Sequence, residues 1–330
     1  MKPLNIFYKE PDPDRWFKYD RYPRRIIRRI IRGKLRPGGV MMVATELLKG
    51  LDVLGIQYRF NDFKYADNHP DELVGIIGKP QLLYDRKWKN PIIFGAGIFS
   101  HPVDSPELFL KYPNVKKVLV PGEWMKIMFE SYYGDKVISW PVGIDTQKWN
   151  LDKKVTPEFD ILIYYKIRWD HKKYDFELLN PIIEHLNSCN LSFEILRYGK
   201  YNHNGLLEKL AQCKFVIFIC EHETQGLAYQ QILSTNRPIL AWDRGGIWKD
   251  PNYFPALVKY EPVSSVPYWD DSCGEKFVSF FDFPSKLTLI ISKLDIYNPR
   301  KFIENNLSLE ICTKKYVDIY NSVQDQLINK

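Results

Sequence analysis

Between Cys213 and Gly246 the chain reads CKFVIFICEHETQGLAYQQILSTNRPILAWDRGG. Phe215–Ile219 is an apolar, partly β-branched run, short enough to be a strand buried on both faces of a parallel sheet. A polar turn with a glycine, Glu221–Gly226, follows at once; Leu227–Ser234 then has helical character, and Pro238–Trp242 reads as the next strand. Strand, polar turn, helix, strand is a βαβ unit, and a unit of this kind commits the chain to a parallel sheet covered by helices. Its ligands sit beyond the carboxyl ends of the strands, where a helix start offers unpaired N–H groups to phosphate.

The same alternation runs through the rest of the sequence. Leu4–Tyr8, Ile56–Phe60, Leu73–Ile77, Pro91–Ile98, Val115–Val120 and Lys136–Trp140 read as strands, with helices at Thr45–Leu51 and from Trp124 to Tyr133. A second series has strands at Phe159–Tyr165 and Leu191–Leu196 and a helix at Leu206–Gln212, ahead of the 213–246 unit. The polar stretch Thr146–Glu158 reads as the linker between the two series. At 330 residues the chain exceeds one comfortable core, and two domains of roughly 150 residues are expected. The predicted fold class is α/β with two doubly wound domains, residues 1–150 and residues 151–312. The second half ends in a segment, Pro299 through Tyr320, that is helical by period, while Val266–Asp271 reads only as a loop.

Bulk properties exclude several classes. No window of about 18 or more apolar residues suits a membrane span, and MKPLNIFYKEPDPD lacks a signal-peptide core. Five scattered cysteines without a CxxC pair point to reduced thiols and a cytoplasmic protein. Asp12-Pro13-Asp14 could share a divalent ion, but Pro with Asp makes turns, and no metal is expected. The net charge is +7, yet residues 21–36 alone carry eight cationic side chains and no acid, so the remainder nets 7 − 8 = −1. One basic element on a near-neutral protein argues against nucleic acid as a partner. At about 100° per residue, Ile26, Ile27, Ile30 and Ile31 fall opposite Arg24, Arg25, Arg28, Arg29 and Arg32. Such a helix suits peripheral contact with an anionic membrane, equally a surface helix with solvated arginines, or thirdly an attractor for an anionic acceptor.

Chemistry-bearing residues collect at strand ends. Lys166–Lys173 places four cations in eight residues after a strand, which suits a diphosphate. His101 follows the Pro91–Ile98 strand, and Gly38-Gly39 precedes a helix, where the backbone can approach a ligand. Each feature alone is also what a loop or turn would show.

Taken in order, these pieces resemble the retaining glycosyltransferases of the GT-B fold, specifically family GT4. That family has two Rossmann-like domains facing across a cleft, and its last helix commonly crosses back to the N-terminal domain, which implies that helix 313–330 packs on residues 1–150. Its glycine loop resembles Gly38-Gly39, its N-domain histidine His101, and its segment before the linker Pro141-Val142-Gly143-Ile144-Asp145. Its phosphate-binding Arg and Lys resemble Arg168 and Lys173, and the glycines after the next strand resemble Gly245-Gly246. Its signature of a Glu, then Gly-Leu, then a second Glu resembles Glu223 to Gln231, with Gln231 in place of the second acid.

The resemblance implies an enzyme, a metal-independent retaining hexosyltransferase without cofactor, whose partners are a nucleotide-sugar donor and a glycan or lipid-linked acceptor. It implies catalytic roles for His101 and Glu223, and diphosphate contacts from Arg168, Lys173 and the N–H groups of Gly226 and Leu227. It further implies donor sugar or nucleoside contacts from Thr224, Gln225, Gln231 and Tyr198, and an acceptor-side loop at Gly38 and Gly39. Glu221 and His222 are left without a role. Since an amide hydrogen-bonds more weakly than a carboxylate, Gln231 also admits a non-catalytic sugar-nucleotide or glycan-binding protein. A nucleotide-sugar epimerase of the same fold is the third reading.

Overall fold

The computed structural model describes residues 2–10, 16–18, 20, 22–24, 26–27, 38–151, 156–201 and 203–328. Asp12–Asp14 and most of the basic segment, Arg25 and residues 28–37 among them, lie outside the described residues.

The chain divides into two compact units. One comprises residues 1–121, 126–143 and 312–330; the other comprises 122–125 and 144–311. In the first, six parallel strands stand in the order β2-β1-β3-β4-β5-β6. They are β1 (Leu4–Phe7), β2 (Tyr58–Phe60), β3 (Val74–Ile76), β4 (Ile92–Gly95), β5 (Val115–Val120) and β6 (Val137–Ser139). β1, β3 and β4 are buried along their whole length, as apolar runs covered on both faces must be. The C-terminal residues complete this unit: Trp140 donates its indole N–H to the Cys312 carbonyl at 2.9 Å and packs on the Tyr316 ring at 4.9 Å.

The second unit holds five parallel strands in the order β11-β10-β9-β7-β8. They are β7 (Ile161–Lys166), β8 (Phe193–Arg197), β9 (Phe215–Cys220), β10 (Ile239–Trp242) and β11 (Gly274–Phe277). β7 and β9 are central and buried throughout. β11 has no counterpart in the sequence reading, because Gly-Glu-Lys-Phe is short, half charged and an edge strand beside β10. The segment read as a linker is also not wholly one. Trp149 is buried in the second unit, where its carbonyl accepts from Ser234 at 2.8 Å and from Arg300 at 3.2 Å.

Two strand orders of the same type, with the first strand of each series flanked by the second and third, give each sheet a switch point. Consecutive connections leave that point in opposite directions, which opens a crevice between the two strand ends. In the first unit it lies between β1 and β3, and in the second between β7 and β9. All five cysteines are free thiols, and no helix among the described residues is long and apolar enough to cross a membrane.

At the start of the basic segment the described residues depart from an ordinary surface helix. Arg24 is buried and pairs with Asp20 at 3.2 Å, while Ile26 and Ile27 are 62% and 54% exposed.

Candidate functional site

β7 and β9 lie in register with Lys166 beside Cys220. The residues that follow each strand therefore emerge together at the β7/β9 switch point, although more than fifty positions separate them in sequence. Register alone places Lys166 and Arg168 against Glu221, His222 and Glu223.

Glu223 is the centre of the cluster and is 4% exposed. One carboxylate oxygen forms a short ion pair with Lys166 Nζ, and the other lies 3.5 Å from an Arg168 Nη atom. Burial opposes the charge on Lys166, but the Glu223 carboxylate outweighs it and raises the lysine pKa above its ordinary value. Arg168 behaves alike, with burial opposed and overcome by Glu223. Lys166 also lies 4.6 Å from the centre of the Tyr198 ring, which is otherwise exposed. Beneath this layer the Tyr164 and Tyr201 hydroxyls meet at 2.5 Å. Lys166 belongs to the basic run read from sequence, but its pairing with Glu223 does not follow from spacing; only the β7/β9 register creates it.

Glu221 and His222, without a role in the sequence reading, are both built into the site. Glu221 accepts the backbone N–H groups of Arg168 at 2.8 Å and Trp169 at 3.1 Å, so it sets the path of the cationic loop. His222 is buried, with its Nε2 accepting from the Trp248 indole at 3.1 Å and its ring stacked on Trp169 at 5.7 Å. Burial, with Arg168, Arg244 and Lys166 adding repulsion, pushes its pKa down to about 3, so it is neutral near pH 7 and carries its proton on Nδ1.

Gly226 caps the helix Leu227–Ser234 with φ +85°. A side chain there would collide with the Tyr229 ring, and the positive φ independently disfavours any other residue. No side chain among the described residues caps this helix, so its first N–H groups are offered beyond the switch point. Gln231 is buried on the same helix, and Gln225 exchanges hydrogen bonds with Gln230 at 3.0 and 3.1 Å. Thr224 is half-buried and its carbonyl faces Gly122. Lys173 is not in this cluster. It sits at the surface, 3.9 Å from Glu177, because the helix His171–Tyr174 carries it past the strand end.

The remaining predicted residues belong to the first unit. His101 is buried beyond β4, and its Nδ1 accepts the Val103 N–H at 3.0 Å. Burial lowers its pKa and Asp104 partly opposes this; the neutral ring therefore carries its proton on Nε2 as a donor. Gly38 caps the helix Gly39–Val53 with φ −74°, and added β-carbons at Gly38 and Gly39 would meet nothing within 4 Å. The packing instead requires Gly78 and Gly97, at φ +101° and +90°, whose β-carbons would press on Val40 at 2.8 and 3.2 Å. These two let the helix start descend over the strand ends.

The sequence matches no model of a known protein family, and no curated protein matches it. Solved structures do match in fold. Anabaena HepE in complex with UDP superposes with a TM-score of 0.59 at 8% identity, covering 97% of this chain and 100% of that one. The lipopolysaccharide outer core galactosyltransferase WaaB gives 0.56 at 10% identity, covering 97% and 99%. Sucrose-phosphate synthase from Thermosynechococcus elongatus gives 0.55 at 10% identity, covering 98% and 99%. At such identities the likeness speaks to the fold: this chain has the two-sheet α/β architecture of GT-B glycosyltransferases.

Proposed function

We propose that this protein is a retaining, GT4-type glycosyltransferase that moves a sugar from a nucleotide-sugar donor to a glycan or lipid-linked acceptor. The observation that carries the reading is the cluster of Lys166, Arg168 and Glu223 beside an uncapped helix start at the β7/β9 switch point. Cleaving a sugar–nucleotide bond builds positive charge at the anomeric carbon and negative charge on the departing diphosphate. Lys166, Arg168 and the N–H groups after Gly226 supply fixed positive charge for the second. Lys173 takes part only if its side chain leaves Glu177. Glu223 is the acceptor for donor-sugar hydroxyls, and its pairing with two cations holds the carboxylate in orientation. Tyr198, Thr224, Gln225 and Gln231 are the nucleoside and sugar contacts, with Gln231 offering a weaker, uncharged hydrogen bond in place of an acid. His101, through its Nε2–H, contacts the donor sugar, and Gly38-Gly39 lie on the acceptor side. No metal takes part in this scheme.

HepE has been seen with UDP and with UDP-glucose, so uridine donors head the panel to be tried. The assay is sugar transfer and donor hydrolysis by purified protein in EDTA, across that panel. Arg168→Ala and Glu223→Ala should each lose at least 100-fold in kcat/KM, in line with removal of transition-state electrostatic contacts. Full activity in either variant would sink the site assignment. Gln231 favours a second reading, a protein that binds sugar nucleotides without turnover. Tight donor binding with no product, and turnover gained in Gln231→Glu, would establish it. Release of an altered sugar nucleotide without acceptor would instead make the protein an epimerase.

The exposed Ile26 and Ile27, at the head of the basic segment 21–36 and joined by exposed Trp16 and Phe17, further suit peripheral contact with an anionic membrane.

A further inference from the structure

The backbone of Glu223 is fixed from two directions by residues that belong to no βαβ signature. Its N–H donates to the Ser264 carbonyl at 2.9 Å, and Ser264 and Ser265 are themselves held by Asp243, through a hydroxyl at 3.1 Å and an N–H at 2.8 Å. Its carbonyl accepts the indole N–H of Trp124 at 2.9 Å in a buried setting. Trp124 is in turn anchored, since its own carbonyl accepts from the Tyr260 hydroxyl at 2.7 Å and its ring stands edge-on to His222 at 6.1 Å. The neighbouring backbone presses on the same loop: a β-carbon at Gly122 would lie 2.5 Å from the Thr224 carbonyl oxygen. Gly122–Met125 therefore forms one packed body with the second unit.

From this geometry we infer that Trp124 is a positioning residue for Glu223, its indole N–H fixing the carbonyl that sets where the carboxylate stands. The inference rests on the proposed role of Glu223 in transfer. Without that hydrogen bond the Glu223 backbone loses one of the two restraints named above, and the aim of its carboxylate at Lys166 and the sugar hydroxyls loosens. Orientation of that kind counts in the transition state more than in donor binding, because the diphosphate is gripped by other groups. The absence of a side chain at Gly122 has the same meaning: only glycine lets the segment approach the Thr224 carbonyl so closely.

The test replaces Trp124 in the full chain by Phe and, separately, by its benzothienyl isostere, which keeps the fused ring and loses only the N–H. Amide hydrogen exchange across residues 221–227 is measured alongside donor kinetics. The expected result is faster exchange in that segment and a fall in kcat of about 10-fold, with donor KM changed less than about threefold, as a buried carbonyl left without its donor implies. The isostere should reproduce the Phe variant. Unchanged exchange in the isostere overturns the positioning role whatever the activity, and so does faster exchange with unchanged kcat. A wild-type protein that transfers no sugar from any donor would overturn the proposed function, while the exchange data still decide whether Trp124 holds Glu223.

Discussion

Glu223 is the residue on which the site turns, and its environment fixes what can be done to it. It and Lys166 are both nearly excluded from water, with side chains 5% and 10% exposed. Removing one partner of such a pair leaves an uncompensated buried charge, which costs about 3–5 kcal/mol, whereas replacing both by apolar groups can be nearly neutral. Glu223→Ala should therefore lower the unfolding free energy in urea by about that amount. The double variant Lys166→Met, Glu223→Leu should regain most of the loss and stay inactive. Wild-type stability in the single variant would mean that water reaches the pair. His222 shows the limit of reading one residue at a time. In sequence it is a histidine with no partner; in the fold, burial and three nearby cations keep it neutral as part of the wall behind Arg168.

Elements carry two further expectations. The two glycine features weighed in the sequence stand in opposite physical situations. Gly226 has a positive φ and a ring against its Cα, so Gly226→Ala should destabilise the protein and displace the helix start. Gly38 and Gly39 have room for a methyl group and Gly38 has an ordinary φ, so alanine at both should leave stability unchanged or raise it by about 0.4–1 kcal/mol. Thermal unfolding of the variants decides this. Lost transfer activity at unchanged stability in the 38/39 variant would assign those glycines to a ligand. The basic segment makes the second expectation. With Ile26 and Ile27 exposed, the protein should sediment with vesicles containing anionic lipid at low salt and be released as salt rises. Replacing both isoleucines by Ser should abolish the association; failure of the wild-type protein to sediment at low salt would remove the membrane contact.

At the scale of the molecule, the fold was legible in the sequence because parallel strands buried on both faces must be short, apolar and β-branched. That is how Phe215–Ile219 and Phe159–Tyr165 announce themselves. The edge strands β2, β6 and β8 were legible as well, and β11 escaped because it is four residues long and half charged. The site was legible in part. Glu223, Gly226 and Arg168 stand at recognisable offsets from strand ends, whereas Lys173 matches the spacing yet lies outside the cluster, at the surface beside Glu177. The sequence by itself determined two parallel α/β series and the strand ends at which chemistry could gather, because both follow from local hydrophobic pattern and chain order. Only the tertiary structure decided that Lys166 neutralises Glu223, that Glu221 shapes the Arg168 loop, and that Trp124, 99 residues before Glu223, holds its carbonyl. Those pairings depend on strand register and on which loops the sheet order brings together, and neither is a property of any one stretch of chain.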